Sequence, residues 1–213
     1  MNGGRLLRIV LILVLGLGIA GLIAWWTIQQ DQANRTAQGG GGITAVAVPE
    51  GVSIGGPFAL TDHTGAAVTD ADYQGKFRLI FFGFTFCPDI CPTELQVMAQ
   101  ALDVLGPAAE DVKPLFVTID PERDTPAQLA EYVSLFDDRI TGLTGTPEQI
   151  ADIARKYRVY YAKAPGDAET YLMDHSTYTY LMGPDGQFLT VFPRGTDAET
   201  MAKSIRQFMQ GQS

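Results

Sequence analysis

Two cysteines, Cys87 and Cys91, are the only thiols in this chain of 213 residues, and they lie four positions apart. Each is followed by proline within the segment FGFTFCPDICPTEL, residues 82–95. Such a pair can form a structural disulfide, act as a redox couple or bind a soft metal ion. A bridge between such close neighbours removes little entropy from the unfolded chain. The spacing therefore favours redox chemistry or metal binding over a structural bridge.

The geometry of a helix is compatible with both remaining functions. If the two cysteines lie on one helical face, their α-carbons are roughly 6 Å apart, towards the upper end of the range for a disulfide. The same separation suits two thiolates that converge on one ion. A helix N-terminus also lowers the pKa of a thiol, because its dipole favours the thiolate. Two cysteines alone do not decide between the functions.

A third ligand would indicate a metal site, and the chain contains two histidines. His63 lies in a predicted hairpin turn, where a solvated polar side chain is the ordinary interpretation. His175 lies at the entrance to the last predicted hairpin, which we expect within reach of the turn that carries Cys87. Two thiolates and one imidazole form a soft site that favours Cu(I), with Cu(II) accessible if water or a carboxylate adds a ligand. A closed structural zinc site needs four ligands.

Two residues next to His175 in sequence, Met173 and Asp174, could also contribute to the site. Asp174 precedes the histidine directly, and its carboxylate could accept a hydrogen bond that orients the imidazole. Met173 is the one methionine close to the predicted site. Because the methionines occupy mostly core positions of helices and strands, we interpret them as packing residues.

Strands and helices alternate around these residues. Hairpins are predicted at 58–69 and 177–192, apolar strands at 78–84 and 114–120, short strands at 140–143 and 159–162, and helices from 92 onward and at 124–136, 146–157 and 196–209. Alternation of this kind implies parallel strands with crossover helices, and the closing hairpin makes the sheet mixed. The cysteines then follow the carboxyl end of the first parallel strand. We predict an α/β thioredoxin-like fold, a mixed sheet with flanking helices and an N-terminal hairpin.

The N-terminal segment is predicted to lie in a membrane. No residue from 9 to 26 is charged, and arginines stand on its N-terminal side at positions 5 and 8. A run of this length can cross about 30 Å of hydrocarbon. The positive-inside tendency then gives a cytoplasmic segment 1–8, a transmembrane anchor 9–28 and an exported remainder. A cleaved signal peptide is the alternative, but the run is long and WWTIQQ is a poor cleavage site.

The exported part divides into a linker at residues 29–49, polar and then glycine-rich, and a domain at 50–213. The net charge of −9 argues against nucleic-acid binding. No basic, serine-rich transit segment precedes the anchor. We therefore expect a single-pass protein of the bacterial inner membrane with its C-terminal domain in the periplasm.

Three motifs together closely resemble the Sco/SenC family of copper chaperones: GFTFCPDICPTEL, VTIDPERDTP and DHSTYTYLMGPDGQFL. The resemblance runs from about Phe58 to the last helix. It implies that Cys87, Cys91 and His175 bind copper and that the protein, not an enzyme, assists assembly of the CuA centre of cytochrome c oxidase subunit II. Family members hand over copper or reduce the acceptor's cysteines, so Cys87 and Cys91 would also form a redox-active disulfide. Another copper chaperone or a thioredoxin-like reductant would act as donor.

The motif VTIDPERDTP also matches the family at Asp120, Arg123 and Asp124. We favour a structural role, because Asp-Pro begins a turn and Asp124 or Thr125 can cap the next helix. Partner docking is the lesser alternative. For the whole protein, the alternative function is that of a thiol–disulfide oxidoreductase acting on the copper acceptor. A peroxidase is a weaker third interpretation, since Thr85 alone does not make a peroxide-activating pocket.

Overall fold

The structure, a computed structural model, describes residues 53–167 and 170–211 together with Gly18, Trp25 and Trp26. The predicted segment 1–8, the linker and most of the predicted anchor lie outside these residues. Among the residues that are described, no helix is long and apolar enough to cross a membrane. The anchor, the linker and the domain boundaries stay predictions.

Nine strands are described, and seven of them form one mixed sheet. These seven are β1 (Ala59–Asp62), β2 (Ala67–Thr69), β3 (Phe77–Gly83), β4 (Val112–Thr118), β5 (Thr141–Thr144), β8 (Thr179–Met182) and β9 (Phe188–Phe192). Their order across the sheet is β2-β1-β5-β4-β3-β8-β9. The central strands β3, β4 and β5 are parallel, and the strands outside them pair antiparallel. All seven residues of β3 are buried.

The other two strands, β6 (Tyr161–Lys163) and β7 (Met173–His175), form a separate antiparallel pair. Tyr161 pairs with His175 in its register. We refer to residues 161–167 and 170–176 as the histidine arm. Because strands of three residues carry too little alternation to be recognised, the sequence predicted only a short strand near β6 and did not predict this pairing.

Four described helices flank the sheet: α1 (Ile90–Leu105), α2 (Pro126–Ser134), α3 (Pro147–Lys156) and α4 (Ala198–Gly211). Short 3₁₀ helices occupy Asp70–Tyr73 and Gly106–Asp111. The Thr125 side chain caps α2 by accepting the N–H of Gln128, and Asp197 accepts the N–H of Thr200 at the start of α4. The mixed α/β fold and its terminal hairpins are as predicted.

Candidate metal centre

Cys87 and Cys91 lie where β3 ends and α1 begins. Only Cys91 is helical, in the first turn of α1, and it is fully buried. Cys87 precedes the helix, in a turn where its N–H donates to the Phe84 carbonyl at 3.3 Å. Helix α1 begins at Ile90, two residues before its predicted start, so Cys87 and Cys91 do not share one helical face. Both cysteines are free thiols.

The sulfur of Cys87 nevertheless lies at the N-terminus of α1. The backbone N–H of Cys91 donates to Cys87 Sγ at 3.4 Å. Hydrogen bonds from the Cys91 side chain and from backbone N–H groups hold the pKa of Cys87 well below the usual value for a thiol, against the opposing effect of burial. The half-exposed Cys87 is thus the thiolate of the pair.

Cys91 has the opposite character. Its hydrogen bond with Cys87 and its burial raise its pKa above the usual value for a thiol. One proton shared by the two sulfurs explains the contrast. Cys91 keeps this proton and donates it to Cys87, which lowers the pKa of Cys87 and raises the pKa of Cys91. The metal-free pair is therefore one exposed thiolate and one buried thiol.

His175 ends β7 with its ring facing this pair. The Nε2 atom is 3.7 Å from Cys91 Sγ, and the ring lies against the edges of Phe81 and Phe84, with centroids 6.2 and 5.9 Å away. Nδ1 is 2.8 Å from the Ser176 carbonyl. Because a carbonyl can only accept, Nδ1 carries the proton and donates it there. Nε2 then has a free lone pair, the form in which imidazole binds metals.

The Cys91–His175 distance fits two ligands of one ion. For metal–sulfur and metal–nitrogen bonds of about 2.3 and 2.0 Å, and an angle of about 120°, donor atoms lie about 3.7 Å apart. Within residues 53–167 and 170–211, no group of three or more Cys, His, Asp or Glu side chains is already arranged to hold a metal ion. The three donor residues are neighbours, and their donor atoms must move closer together to complete the coordination shell of a metal ion.

The predicted orienting role of Asp174 is not seen. The acceptor at His175 Nδ1 is the backbone carbonyl of Ser176. Asp174 and His175 are consecutive in β7, so their side chains leave opposite faces of the strand. The Asp174 carboxylate is exposed on its face, while His175 is turned towards the sulfurs.

His63 does not join the site. Its Nδ1 accepts the N–H of Gly142 at 2.9 Å, which attaches the β1–β2 turn to β5. The side chain is half-buried, so it is less solvated than the sequence suggested. Its bonding is structural.

Asp124 stabilises the segment that carries the cysteines. It is fully buried and accepts hydrogen bonds from the Thr85 N–H at 3.0 Å and from the hydroxyls of Thr85 and Thr118, both at 2.6 Å. Burial raises the pKa of Asp124, and these hydrogen bonds oppose the rise. Of the two predicted caps, Thr125 caps α2 and Asp124 joins the turn after β3 to the end of β4.

Asp120 and Arg123 contact a residue that the sequence gave no reason to select, Tyr171. The Asp120 carboxylate accepts from Arg123 Nε at 2.6 Å and from the Tyr171 hydroxyl at 2.7 Å. The Arg123 guanidinium lies 3.7 Å from the Tyr171 ring centroid and 4.8 Å from that of Phe86. No sequence pattern signals these contacts, because Tyr171 lies 51 positions beyond Asp120.

A cavity of about 280 Å³ adjoins Cys87 and His175. Phe84, Ile90 and Leu172 contribute apolar walls. Leu172 is 44% exposed. The site can therefore be reached from solvent through a partly apolar opening.

Comparison with known proteins identifies the family. The SCO1/SenC family model matches residues 47–210. The mitochondrial SCO1 homolog of Homo sapiens is 48% identical over 160 residues, 74% of this chain and 53% of that protein. SenC of Rhodobacter capsulatus is 46% identical over 157 residues, 73% of this chain and 71% of that protein. The chain spans about half the length of the human relative.

Solved structures show the same fold. Arabidopsis thaliana ScoI with copper bound is 42% identical, has a TM-score of 0.71, and the match covers 75% of this chain and 99% of that one. BsSco, at 24% identity and a TM-score of 0.59 over 75% of this chain and 95% of its own, is a member of the Sco family of cytochrome c oxidase assembly proteins. The family match covers most of the chain and includes both cysteines and His175. The chain belongs to the SCO1/SenC family.

Proposed function

We propose that this protein is a copper chaperone that binds one copper ion through Cys87, Cys91 and His175. One observation carries the proposal: Nε2 of His175 lies 3.7 Å from Cys91 Sγ, beside a second sulfur at a helix N-terminus. Thiolate and imidazole donors suit copper. The copper-bound Sco relatives support the choice of metal.

The two sulfurs contribute differently to copper transfer. Cys87, the half-exposed thiolate, is the first donor that an incoming copper ion meets and the last that holds it during departure. Cys91 must lose its proton when copper binds, so binding releases a proton and weakens at low pH. Transfer then proceeds by exchange of these ligands for the thiolates of an acceptor.

The family resemblance implies the acceptor, the CuA site of cytochrome c oxidase subunit II. The predicted anchor at residues 9–28 would hold the domain on the periplasmic side of the bacterial inner membrane, close to that oxidase. The relatives include both a bacterial and a mitochondrial protein. Another copper chaperone would supply the metal.

The asymmetry of the two thiols supports a second function, reduction of the acceptor's disulfide. The Cys87 thiolate would attack that disulfide, break its S–S bond and form a mixed disulfide while one acceptor thiolate leaves. Cys91, once deprotonated, would attack Cys87 Sγ, forming the Cys87–Cys91 disulfide and releasing the second acceptor thiolate. Two electrons pass to the acceptor, and a thioredoxin-like reductant would restore the dithiol.

Copper binding by the full chain, reduced and in detergent, tests the first function. Competition against a Cu(I) chelator is measured for the wild type, Cys91→Ser and His175→Ala, with His63→Ala as the matched control histidine. We expect one copper per chain and a loss of affinity of at least 10-fold in the first two variants, with His63→Ala unchanged. Equal affinity of His175→Ala and the wild type would refute the three-ligand site.

Thiol exchange tests the second function separately. The rate at which the reduced chain opens a disulfide peptide is measured without copper. If Cys87→Ser abolishes the reaction while Cys91→Ser accumulates the mixed disulfide, the dithiol acts as a reductant. If the peptide is not reduced at a rate above that of glutathione, this function is excluded.

A further inference from the structure

The loop between β4 and α2, residues 119–125, contacts both segments that carry the proposed ligands, although it provides none of them. On one side is the turn after β3 with Cys87, and on the other is the histidine arm. We refer to residues 119–125 as the β4–α2 loop. Its two buried carboxylates face different segments: Asp124, at 0% exposure, faces the turn with Cys87, and Asp120, at 1%, faces the histidine arm.

The loop contacts the turn that carries Cys87, which together with Cys91 we call the cysteine side. Asp124 accepts three hydrogen bonds, two of them from Thr85, two residues before Cys87. The ring of Phe86, between Thr85 and Cys87, lies under the Arg123 guanidinium at 4.8 Å. The position of the loop is thus fixed relative to the cysteines.

The contacts on the histidine side centre on Tyr171, just before β7. Its hydroxyl donates to Asp120 at 2.7 Å, and its ring centroid is 3.7 Å from the Arg123 guanidinium and 4.6 Å from the Lys163 ammonium. Lys163 also pairs with Glu122 of the loop at 2.6 Å, but both of these side chains are at least half exposed. The Tyr171–Asp120–Arg123 cluster is the buried part of the connection.

We propose that Arg123 and Tyr171 are positioning residues that hold the histidine arm at the distance where His175 reaches Cys91. Arg123 fits this role because its flat guanidinium bonds Asp120 through Nε and contacts the rings of both ligand-bearing segments, Phe86 and Tyr171. The hydrogen bond of His175 to the Ser176 carbonyl lies within the arm, and the edge-on ring contacts of His175 with Phe81 and Phe84 attach the arm to the core only weakly. The proposal rests on the proposed copper site.

Two conservative variants of the full chain test it, Tyr171→Phe and Arg123→Lys, with Tyr160→Phe as a control. Tyr160 is an exposed tyrosine (64%) beside the same arm. In the metal-free protein, hydrogen–deuterium exchange of the arm, which includes the Ser176 N–H bonded to the Tyr160 carbonyl, should accelerate about 10- to 100-fold in Tyr171→Phe, the effect of a lost hydrogen bond to a charged group. Exchange in β3 should not change. Arg123→Lys keeps the charge but loses the planar contact, and should accelerate arm exchange less.

A double-mutant cycle identifies the route of the effect. We expect Tyr171→Phe to weaken Cu(I) binding about 10-fold in the wild type and not at all in His175→Ala, because a positioning residue acts only through the ligand that it positions. The proposal is overturned if the two losses are equal, or if arm exchange in Tyr171→Phe matches that of Tyr160→Phe. If neither the wild type nor any variant binds copper, the proposed function fails, and the exchange experiment alone decides whether the cluster holds the arm.

Discussion

The two parts of the proposed site differ in how the fold holds them. Cys91 lies in the core, where its sulfur packs against the end of a strand buried along its whole length. His175 stands at the end of a three-residue strand in a two-stranded sheet, half-buried, and depends on a loop elsewhere in the chain. The first part resists motion because interiors are close-packed, whereas the second can open without unfolding the domain.

This difference suits a protein that must both hold and release a metal ion. A rigid pair of sulfurs keeps the coordination geometry, while a movable imidazole allows one ligand to leave before the others. An acceptor thiolate can then enter at the vacated position. We therefore expect perturbations of the cysteine side to reduce stability and perturbations of the arm to change metal exchange.

The largest expected contrast is in hydrogen exchange of the wild-type protein. Amides of β3 should exchange only by global unfolding, which costs about 5–15 kcal/mol in typical domains. Amides of the histidine arm should exchange by local opening. We expect them to exchange at least about 1,000-fold faster than the amides of β3, as is typical of sub-global motions. Peptide-resolved mass spectrometry measures both. Equal protection of β3 and the arm would show that the two parts are one rigid unit.

Asp124→Ala should give the largest loss of stability among the substitutions. It leaves the Thr85 N–H and two hydroxyls without their buried acceptor, at a cost of about 2–4 kcal/mol. Urea unfolding measures the change, with Asp138→Ala, an exposed aspartate, as control. A loss no greater than that of the control would mean that Asp124 does not hold the cysteine segment.

The sequence could predict the cysteine side well for a physical reason. Strand β3 is a continuous apolar run, and the chain turns directly into an amphipathic helix, so local pattern fixes the element and the position of Cys91. Asp124 was harder to interpret. An Asp-Thr-Pro segment is typical of a helix cap, and in the structure Thr125 is the capping residue. The buried Asp124 carboxylate instead accepts a hydrogen bond from Thr85, 39 positions earlier in the chain.

The histidine arm could be predicted only in part. That His175 comes close to Cys91 agrees with the expected placement of the last hairpin. Its own short strand and the contacts of Tyr171 arise from tertiary packing, which local propensity does not reveal. The sequence suggests Asp174 as the hydrogen-bond acceptor that orients the His175 ring, because the two residues are adjacent. Alternation along β7 places the Asp174 side chain on the opposite face of the strand from His175.

Gly83→Ala tests the close packing of the cysteine side. A β-carbon at Gly83 would lie 2.8 Å from both Cys91 Sγ and a ring carbon of Phe116. Overpacking of this kind costs about 1–3 kcal/mol, and it should displace the Cys91 sulfur and weaken Cu(I) binding. Gly211→Ala, where the new atom meets nothing within 4 Å, is the control. Unchanged urea unfolding and copper affinity in Gly83→Ala would contradict a rigid cysteine side.

The smallest expected effect concerns Glu94, a buried acid of α1 whose Oε1 accepts the Gly195 N–H at 3.5 Å. Burial raises its pKa, with Gly195 and Arg194 opposing the rise. The folded state therefore keeps the proton to higher pH than the unfolded state, so this contribution to stability is present below the ordinary pKa of about 4.3 and is lost as pH rises through the raised value.

Glu94→Gln, which cannot ionise, should remove that pH dependence. We expect it to exceed the wild type in unfolding free energy at pH 7 and to lose this advantage towards pH 4. Urea unfolding of both proteins across this range measures the difference. A difference that does not vary with pH would show that Glu94 titrates as it does in the unfolded chain.

The most direct test of the account is X-ray absorption at the copper edge of the copper-loaded full chain, compared with His175→Ala. We predict two sulfur donors and one imidazole nitrogen for the wild type, and two sulfurs without the imidazole in the variant, since His175 supplies that nitrogen. An imidazole signal that persists in His175→Ala, or its absence from the wild type, would contradict a site built from a rigid cysteine pair and a movable histidine.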